Sequence, residues 1–395
     1  MSLSGVAAIA GIGATEFSKD SGRSELRLAV EAVSSALTDA GLRPSDVDGL
    51  VTFTMDGNAE IAVARELGIP ELSFFSRVHY GGGAAAATVQ QAAMAVATGA
   101  AEVVVAYRAF NERSGQRFGQ VSAAAAQQVN TSGVDNGFHY PMGLATPAAT
   151  VAMVARRYLH TYGASSEDFG RIAVLDRKHA ATNPKAWFHG RPITLAEHQN
   201  SRWVTEPLHL LDCCQESDGG VAVVVTSTER ARDLARPPAV ITAAAQGSGP
   251  DQYTMTSYYR DEIAALPELG VVARQLWRQA GITVADIDVA VLYDHFTPYV
   301  LMQLEELGVC GRGEAKDFVA GGALELTGTL PLNPHGGQLG EAYLHGMNGI
   351  TEAVRQVRGD AVNQLPSVSN VLVTAGTGVP TSGLVLAADR SASPA

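Results

Sequence analysis

Cysteine is nearly absent from this chain: three residues in 395, two of them adjacent at Cys213 and Cys214. So few thiols exclude a disulfide scaffold and suit a reducing compartment, the cytoplasm. Charge is sparse at 17% of residues, and its balance is acidic, with a formal net charge of -12. A nucleic-acid binder needs clustered Lys and Arg to release counterions, so that class is set aside. Long apolar runs are missing too. Ala/Val-rich stretches such as Val103 to Ala106 fall short of the ~20 residues a membrane span requires. Met1 to Gly5 carry neither the basic region nor the apolar run of a secretion signal. Glycine, by contrast, is plentiful at 41 residues, and hydrophobic side chains make up 46%. That composition suits a globular enzyme with tight turns and excludes disorder, collagen and coiled coil. The length exceeds one ordinary core, so two domains of roughly 150–200 residues are expected.

Along the chain strands and helices alternate, the α/β signature. Val6 to Ile12 reads as a buried strand, Glu25 to Ala40 as a helix closed by Gly41, and Val47 to Val51 as a second strand. Gly81 to Gly99 reads as a long helix with tiny side chains at its start, leading into a core strand from Glu102 to Ala106.

The second half repeats the first. Ala40-Gly41-Leu42-Arg43-Pro44-Ser45-Asp46-Val47-Asp48 returns 240 residues further on as Ala280-Gly281-Ile282-Thr283-Val284-Ala285-Asp286-Ile287-Asp288. Gly99 before its strand is echoed by Gly359 before the strand Val368 to Thr374. Two matched pairs in one order point to a duplication. The expected division is 1–235 and 236–395, with Thr226 to Pro238 as linker. Residues 111–150 break the pattern and read as an irregular insertion over a site or an interface.

A set of short segments then narrows the class: Arg177-Lys-His179-Ala180, Asn183-Pro184-Lys-Ala186, Leu211-Asp212-Cys213-Cys214 and Asp218-Gly219-Gly220. With them the chain resembles the thiolase superfamily, in particular its sterol-carrier-protein or lipid-transfer type. The resemblance implies a duplicated, five-layered αβαβα fold, a homodimer and acyl-CoA substrates. The catalytic motifs depart from that pattern. Where the resemblance places a nucleophilic Cys, the chain reads Arg77-Val78-His79-Tyr80-Gly81-Gly82-Gly83, with His79 at the nucleophile position. The segment Asn333-Pro334-His335-Gly336-Gly337 is followed by Ala342-Tyr343-Leu344-His345-Gly346, and Tyr343 stands where a His is expected. A third motif reads Tyr293-Asp294-His295-Phe296, and the last loop, Ala375-Gly376-Thr377-Gly378, holds no Cys.

Acyl transfer needs a thiolate to carry the acyl group. Without cysteines on these loops, that chemistry is set aside in favour of an enolate route. Gly82, Gly337, Gly376 and Gly378 lie on turns able to aim backbone N–H groups at an oxyanion, each worth ~3 kcal/mol. Tyr293 and Tyr343 are assigned as the acid–base pair, with their order left open. Asp294 is expected to orient or tune Tyr293 or else to be a capping or structural carboxylate, and His79 to donate to the oxyanion. His295 and His345 are read as structural or rim residues. Lysines are few, and Lys178 and Lys185 lie off these loops, which disfavours a Schiff base. No metal is expected: His335 and His345 stand ten apart, and neither is near His295 in sequence.

Retro-aldol cleavage of a β-hydroxyacyl thioester uses these parts: a hydroxyl proton leaves, the Cα–Cβ bond breaks and the enolate is protonated. The substitutions resemble those of the steroid side-chain-cleaving aldolases of the superfamily. That resemblance implies propionyl-CoA release from a 17-hydroxysteroid-20-carboxyl-CoA, no cofactor beyond the CoA of the substrate, and a heteromeric complex with a DUF35 protein (zinc-ribbon-like segment plus OB-fold). The alternatives are a thiolase or acyl-CoA acyltransferase, and a non-catalytic acyl-CoA or lipid-binding homologue.

Overall fold

The computed structural model describes residues 3–79, 81–115, 117, 137, 139–252, 260–376 and 381–389. The duplication is visible at once in the strands. Their ranges are β1 Ala7–Ala14, β2 Gly49–Phe53, β3 Phe74–Val78, β4 Val103–Asn111, β5 Asp218–Ser227, β6 Ala239–Gly247, β7 Val289–Val291, β8 Asn370–Ala375 and β9 Thr381–Ala388. All nine form one sheet in the order β3-β2-β4-β5-β1-β6-β9-β8-β7. Read outward from the centre, β1-β5-β4-β2 is mirrored by β6-β9-β8-β7. Strand directions match as well: β2 runs parallel to β4 as β7 does to β8, and β4 is antiparallel to β5 as β8 is to β9. The halves meet where β1 pairs with β6 through Ala8↔Val240 and Ile9↔Ala239.

The repeated nonapeptide plays the same physical role in both halves. Helix α1 (Glu25–Ala40) ends on left-handed Gly41, where glycine carries no Cβ penalty. A helix at Pro267–Ala280 ends on Gly281 at φ 68 in the same way. Asp46 then accepts the Arg43 N–H, and Asp286 the Thr283 N–H. Asp48 clamps the N–H groups of Glu102 and Val103, and Asp288 those of Ser369 and Asn370. Each aspartate pair thus ties a helix exit to the strand beside it.

Three helical layers enclose the two half-sheets. Besides α1, the helices used below are α2 Glu60–Leu67, α3 Ala85–Thr98, α4 Pro147–Tyr162, α5 Ser166–Thr182, α6 Pro267–Ala280, α7 Thr297–Leu307, α8 Gly337–Gly340 and α9 Met347–Arg358. Helices α1 and α2 cover one outer face, burying Leu28, Leu37 and Val63. On the other outer face α4 to α7 bury Phe169, Leu276 and Val300. Between the half-sheets run α3 and α9, packed against strands of both. Their core unites Val104 and Val223 of the first half with Val291 and Leu384 of the second. Fully burying one such aliphatic side chain contributes about 1.5–3 kcal/mol. Helix α3 is nearly all alanine on its buried face, which lets its axis approach both sheets closely.

The crossover between halves is shorter than the linker expected from sequence. Thr226 and Ser227 continue β5, and Thr228–Arg232 form a helical turn before β6. No helix among the described residues is long and apolar enough to cross a membrane. Most of the 111–150 insertion lies outside the described residues.

Candidate active site

Two phenols meet between the half-sheets. Tyr293, just after β7, and Tyr343, after α8, share a hydrogen bond at 3.2 Å between their hydroxyl oxygens. Their rings stand edge to face with centroids 6.5 Å apart. Tyr293 is 3% exposed and Tyr343 9%, so Tyr343 is the nearer to solvent. Burial pushes both phenols well above their ordinary value, which disfavours a standing phenolate in either.

The main chain of Tyr293 is held on both sides. Its N–H donates to Thr374 Oγ1, the Thr374 hydroxyl donates to Gln303 Oε1, and Gln303 Nε2 donates back to the Tyr293 carbonyl. Tyr343 is held by the first half: its N–H donates to Ser217 Oγ at 3.2 Å, and its backbone bridges to Glu216.

Gly82 makes the closest approach to this pair. A β-carbon there would lie 1.6 Å from the Tyr293 hydroxyl oxygen, so that oxygen occupies the space a side chain at position 82 would fill. Gly82 opens the turn leading into α3. A position facing the phenols is therefore Gly82, three residues beyond His79. His79 follows the end of β3 and is exposed. Gly346, at φ 87, packs on the Tyr293 ring, where a β-carbon would come within 3.1 Å.

Asp294 takes the part of a capping carboxylate. Its carboxylate accepts the N–H groups of Gln338 at 2.9 Å and Leu339 at 3.0 Å, closing the N-terminus of α8. Gly337 at φ 62 is a glycine because a β-carbon would lie 2.1 Å from Asp294 Oδ2. The Asp294–Gly337 contact therefore fixes the loop that carries Tyr343. Asp294→Ala should destabilise the fold by about 2–3 kcal/mol in urea unfolding, since two buried N–H donors lose their acceptor. An unchanged midpoint would show that α8 needs no such cap. Gly376 is buried with φ 70, and Gly378 lies outside the described residues.

Several neighbours carried no motif. Lys19, after β1, gives its ammonium to Gln215 Oε1 and to the Glu216 carbonyl. Burial and the nearby Arg113 lower it to about 8, so the chain does hold a desolvated lysine beside the site. This corrects the view that only Lys178 and Lys185 need be weighed. Glu112, 2% exposed, follows β4. Burial, then the charge of Glu216, pushes its carboxyl up to about 9. His345 is buried, not a rim residue. Arg108 Nε–H donates to its Nδ1 at 3.2 Å, and Arg108 is itself paired with buried Asp56 at 3.1 Å. Because a guanidinium only donates, His345 carries its proton on Nε2. That nitrogen lies 3.2 Å from where a β-carbon on Gly81 would stand, and the ring meets Tyr343 edge-on at 5.1 Å. His295 is buried between the Tyr293 and Tyr299 rings, and burial lowers it to about 3.

The thiols are poor nucleophiles. Burial raises Cys213 and Cys214 far above their ordinary value and Cys310 to about 11. Among the described residues no group of three or more His, Cys, Asp or Glu side chains is arranged to hold a metal ion.

Comparison with known proteins places this geometry. Residues 7–229 match the family "Thiolase, N-terminal domain", and residues 240–387 match "Thiolase C-terminal domain-like". The chain is 71% identical over 384 residues to the 17-hydroxy-3-oxo-4-pregnene-20-carboxyl-CoA lyase of Mycobacterium tuberculosis, covering 97% of this chain and 100% of that protein. It is also 71% identical over 388 residues to a steroid side-chain-cleaving aldolase of Thermomonospora curvata, covering 98% and 99%. A solved structure, "Ltp2-ChsH2(DUF35) aldolase", superposes with a TM-score of 0.94 at 70% identity, covering 99% of this chain and 100% of that one.

Proposed function

The chain belongs to the thiolase family, and from that footing we propose that it is a carbon–carbon lyase acting on a 17-hydroxysteroid-20-carboxyl-CoA thioester. The products are the 17-ketone and propionyl-CoA. The observation that carries this reading is the near full-length identity of 71% to a lyase named for such a thioester. We further propose that it works in the cytoplasm, as a homodimer complexed with a DUF35-type protein, the kind of partner named in the similar solved structure. The boundary between its halves is placed at residue 235, in the crossover before β6.

The phenol pair supplies a route that needs no standing anion. The substrate hydroxyl gives its proton to one phenol oxygen. That phenol passes its own proton across the 3.2 Å hydrogen bond to the second. The second gives its proton to the enolate carbon left when the Cα–Cβ bond breaks. Each phenol loses one proton and gains one, and the substrate's proton count is unchanged. Burial, which disfavours a phenolate, is compatible with such a concerted relay and unfavourable to a stepwise base. The order of the two phenols then matters less than their contact. Gly82 and the buried glycine turns supply space and N–H donors around the thioester.

The test is direct. Purified protein with its DUF35-type partner, given 17-hydroxy-3-oxo-4-pregnene-20-carboxyl-CoA, should release propionyl-CoA and the 17-ketone without added CoA. Cleavage that requires free CoA would mark thiolysis, and binding without cleavage would mark a carrier. Lys19 offers a second check. The intact mass of the protein during turnover should stay unchanged. An acyl adduct on Lys19 would replace the phenol relay by acyl transfer to the amine.

A further inference from the structure

We infer that Glu112 is a further catalytic residue of this reaction, holding the enolate oxygen of the cleaved thioester by a hydrogen bond from its carboxyl group. The inference rests on the lyase reading. Its ground is position. Strand β4 pairs with β5 down to Asn111↔Asp218, so the next residue, Glu112, falls opposite Ser217. Ser217 is the residue whose hydroxyl accepts the Tyr343 N–H, and Glu216 bridges to Tyr343 itself. The Glu112 carboxyl is near enough to the phenol pair for its charge to raise both. It is 2% exposed, takes a backbone hydrogen bond from Ser217, and among the described residues leaves Oε2 buried without a partner.

An unpartnered buried carboxyl oxygen is costly, and a protein keeps one where something else is to meet it. The groups facing it are Arg108 on its own strand, Lys19 after β1, Cys214 and Glu216 before β5, and the two phenols. Burial and the Glu216 charge keep it protonated to about pH 9, outweighing Arg108 and Lys19. This decides its chemistry. An ionised carboxylate beside an enolate would raise the energy of the transition state. A neutral carboxylic acid is a strong donor in a water-poor site. No bond is made or broken at Glu112; it lends a hydrogen bond as charge moves onto the thioester oxygen.

The pH effect has a definite sign. As pH rises through about 9 the donor is lost and a repelling charge appears, so kcat falls. Glutamine keeps an N–H donor at every pH. The assay is release of propionyl-CoA from 17-hydroxy-3-oxo-4-pregnene-20-carboxyl-CoA by the complex with its DUF35-type partner. Glu112→Gln should keep kcat within about 3-fold of wild type at pH 7.5 and lose the alkaline fall. Glu112→Ala should lower kcat about 100-fold with KM within about 3-fold. Should the alanine variant misfold, the glutamine pH profile alone carries the test. Equal rates in all three proteins, or an alkaline fall at the same pH in Glu112→Gln, overturn the assignment. A wild type that releases no propionyl-CoA overturns the lyase reading and this inference together.

Discussion

Replacing Tyr343 by Phe should lower kcat about 1,000-fold and leave KM within a few-fold. The ring, its packing and the space around it stay; only the oxygen that passes the proton goes. Tyr293→Phe should do the same, because the relay needs both hydroxyls. The decisive measurement is the double variant. Groups acting in series as one unit are not additive, so Tyr293→Phe/Tyr343→Phe should be no slower than either single change by more than a few-fold. If the two losses multiplied to about a million-fold, the phenols would be acting as independent acid and base. The second prediction is expected to be as large. Gly82→Ala adds a carbon that would stand 1.6 Å from the Tyr293 oxygen and 2.3 Å from its Cζ. Gly82 has no positive φ, so its backbone accepts alanine and the effect is purely a collision. Tyr293 cannot retreat, since Thr374 and Gln303 hold its main chain. The hydroxyl must leave Tyr343 or the head of α3 must move. The first outcome breaks the 3.2 Å contact and the second displaces the turn that faces the phenols, with kcat falling about 1,000-fold and stability by about 1–3 kcal/mol. A Gly82→Ala protein with wild-type kcat would remove the pair from the mechanism.

Much of the scaffold could be read before any coordinates. The nonapeptides from Ala40 and Ala280 marked the duplication because their key residues each act locally, as a glycine cap, a turn carboxylate or a clamp on the next strand. Tyr293 and Tyr343 stood out because each stands where the resemblance places another residue, while Phe296 still follows the first and Asn333-Pro334 and Gly346 still flank the second. What stayed hidden depends on distance along the chain. Gly82 meets Tyr293 across more than two hundred residues. Lys19 is desolvated by Gln215 and Glu216, and Glu112 by a strand that pairs with its own. No spacing rule brings such residues together. The part of His79 could not be fixed because a run of three glycines offers no side chain by which to set the register at the head of α3. The part of Asp294 stayed open between two roles because adjacency to Tyr293 says nothing of where its carboxylate points, and it points into the amides of α8.

The central layer has a consequence for how this protein can change. Gly82 and Ser217 come from the first half of the chain, and the tyrosines they touch come from the second. Once paired in this way the copies could no longer drift separately. A substitution in either is judged by the fit of its twin, so the two must have been inherited and refined as a single unit.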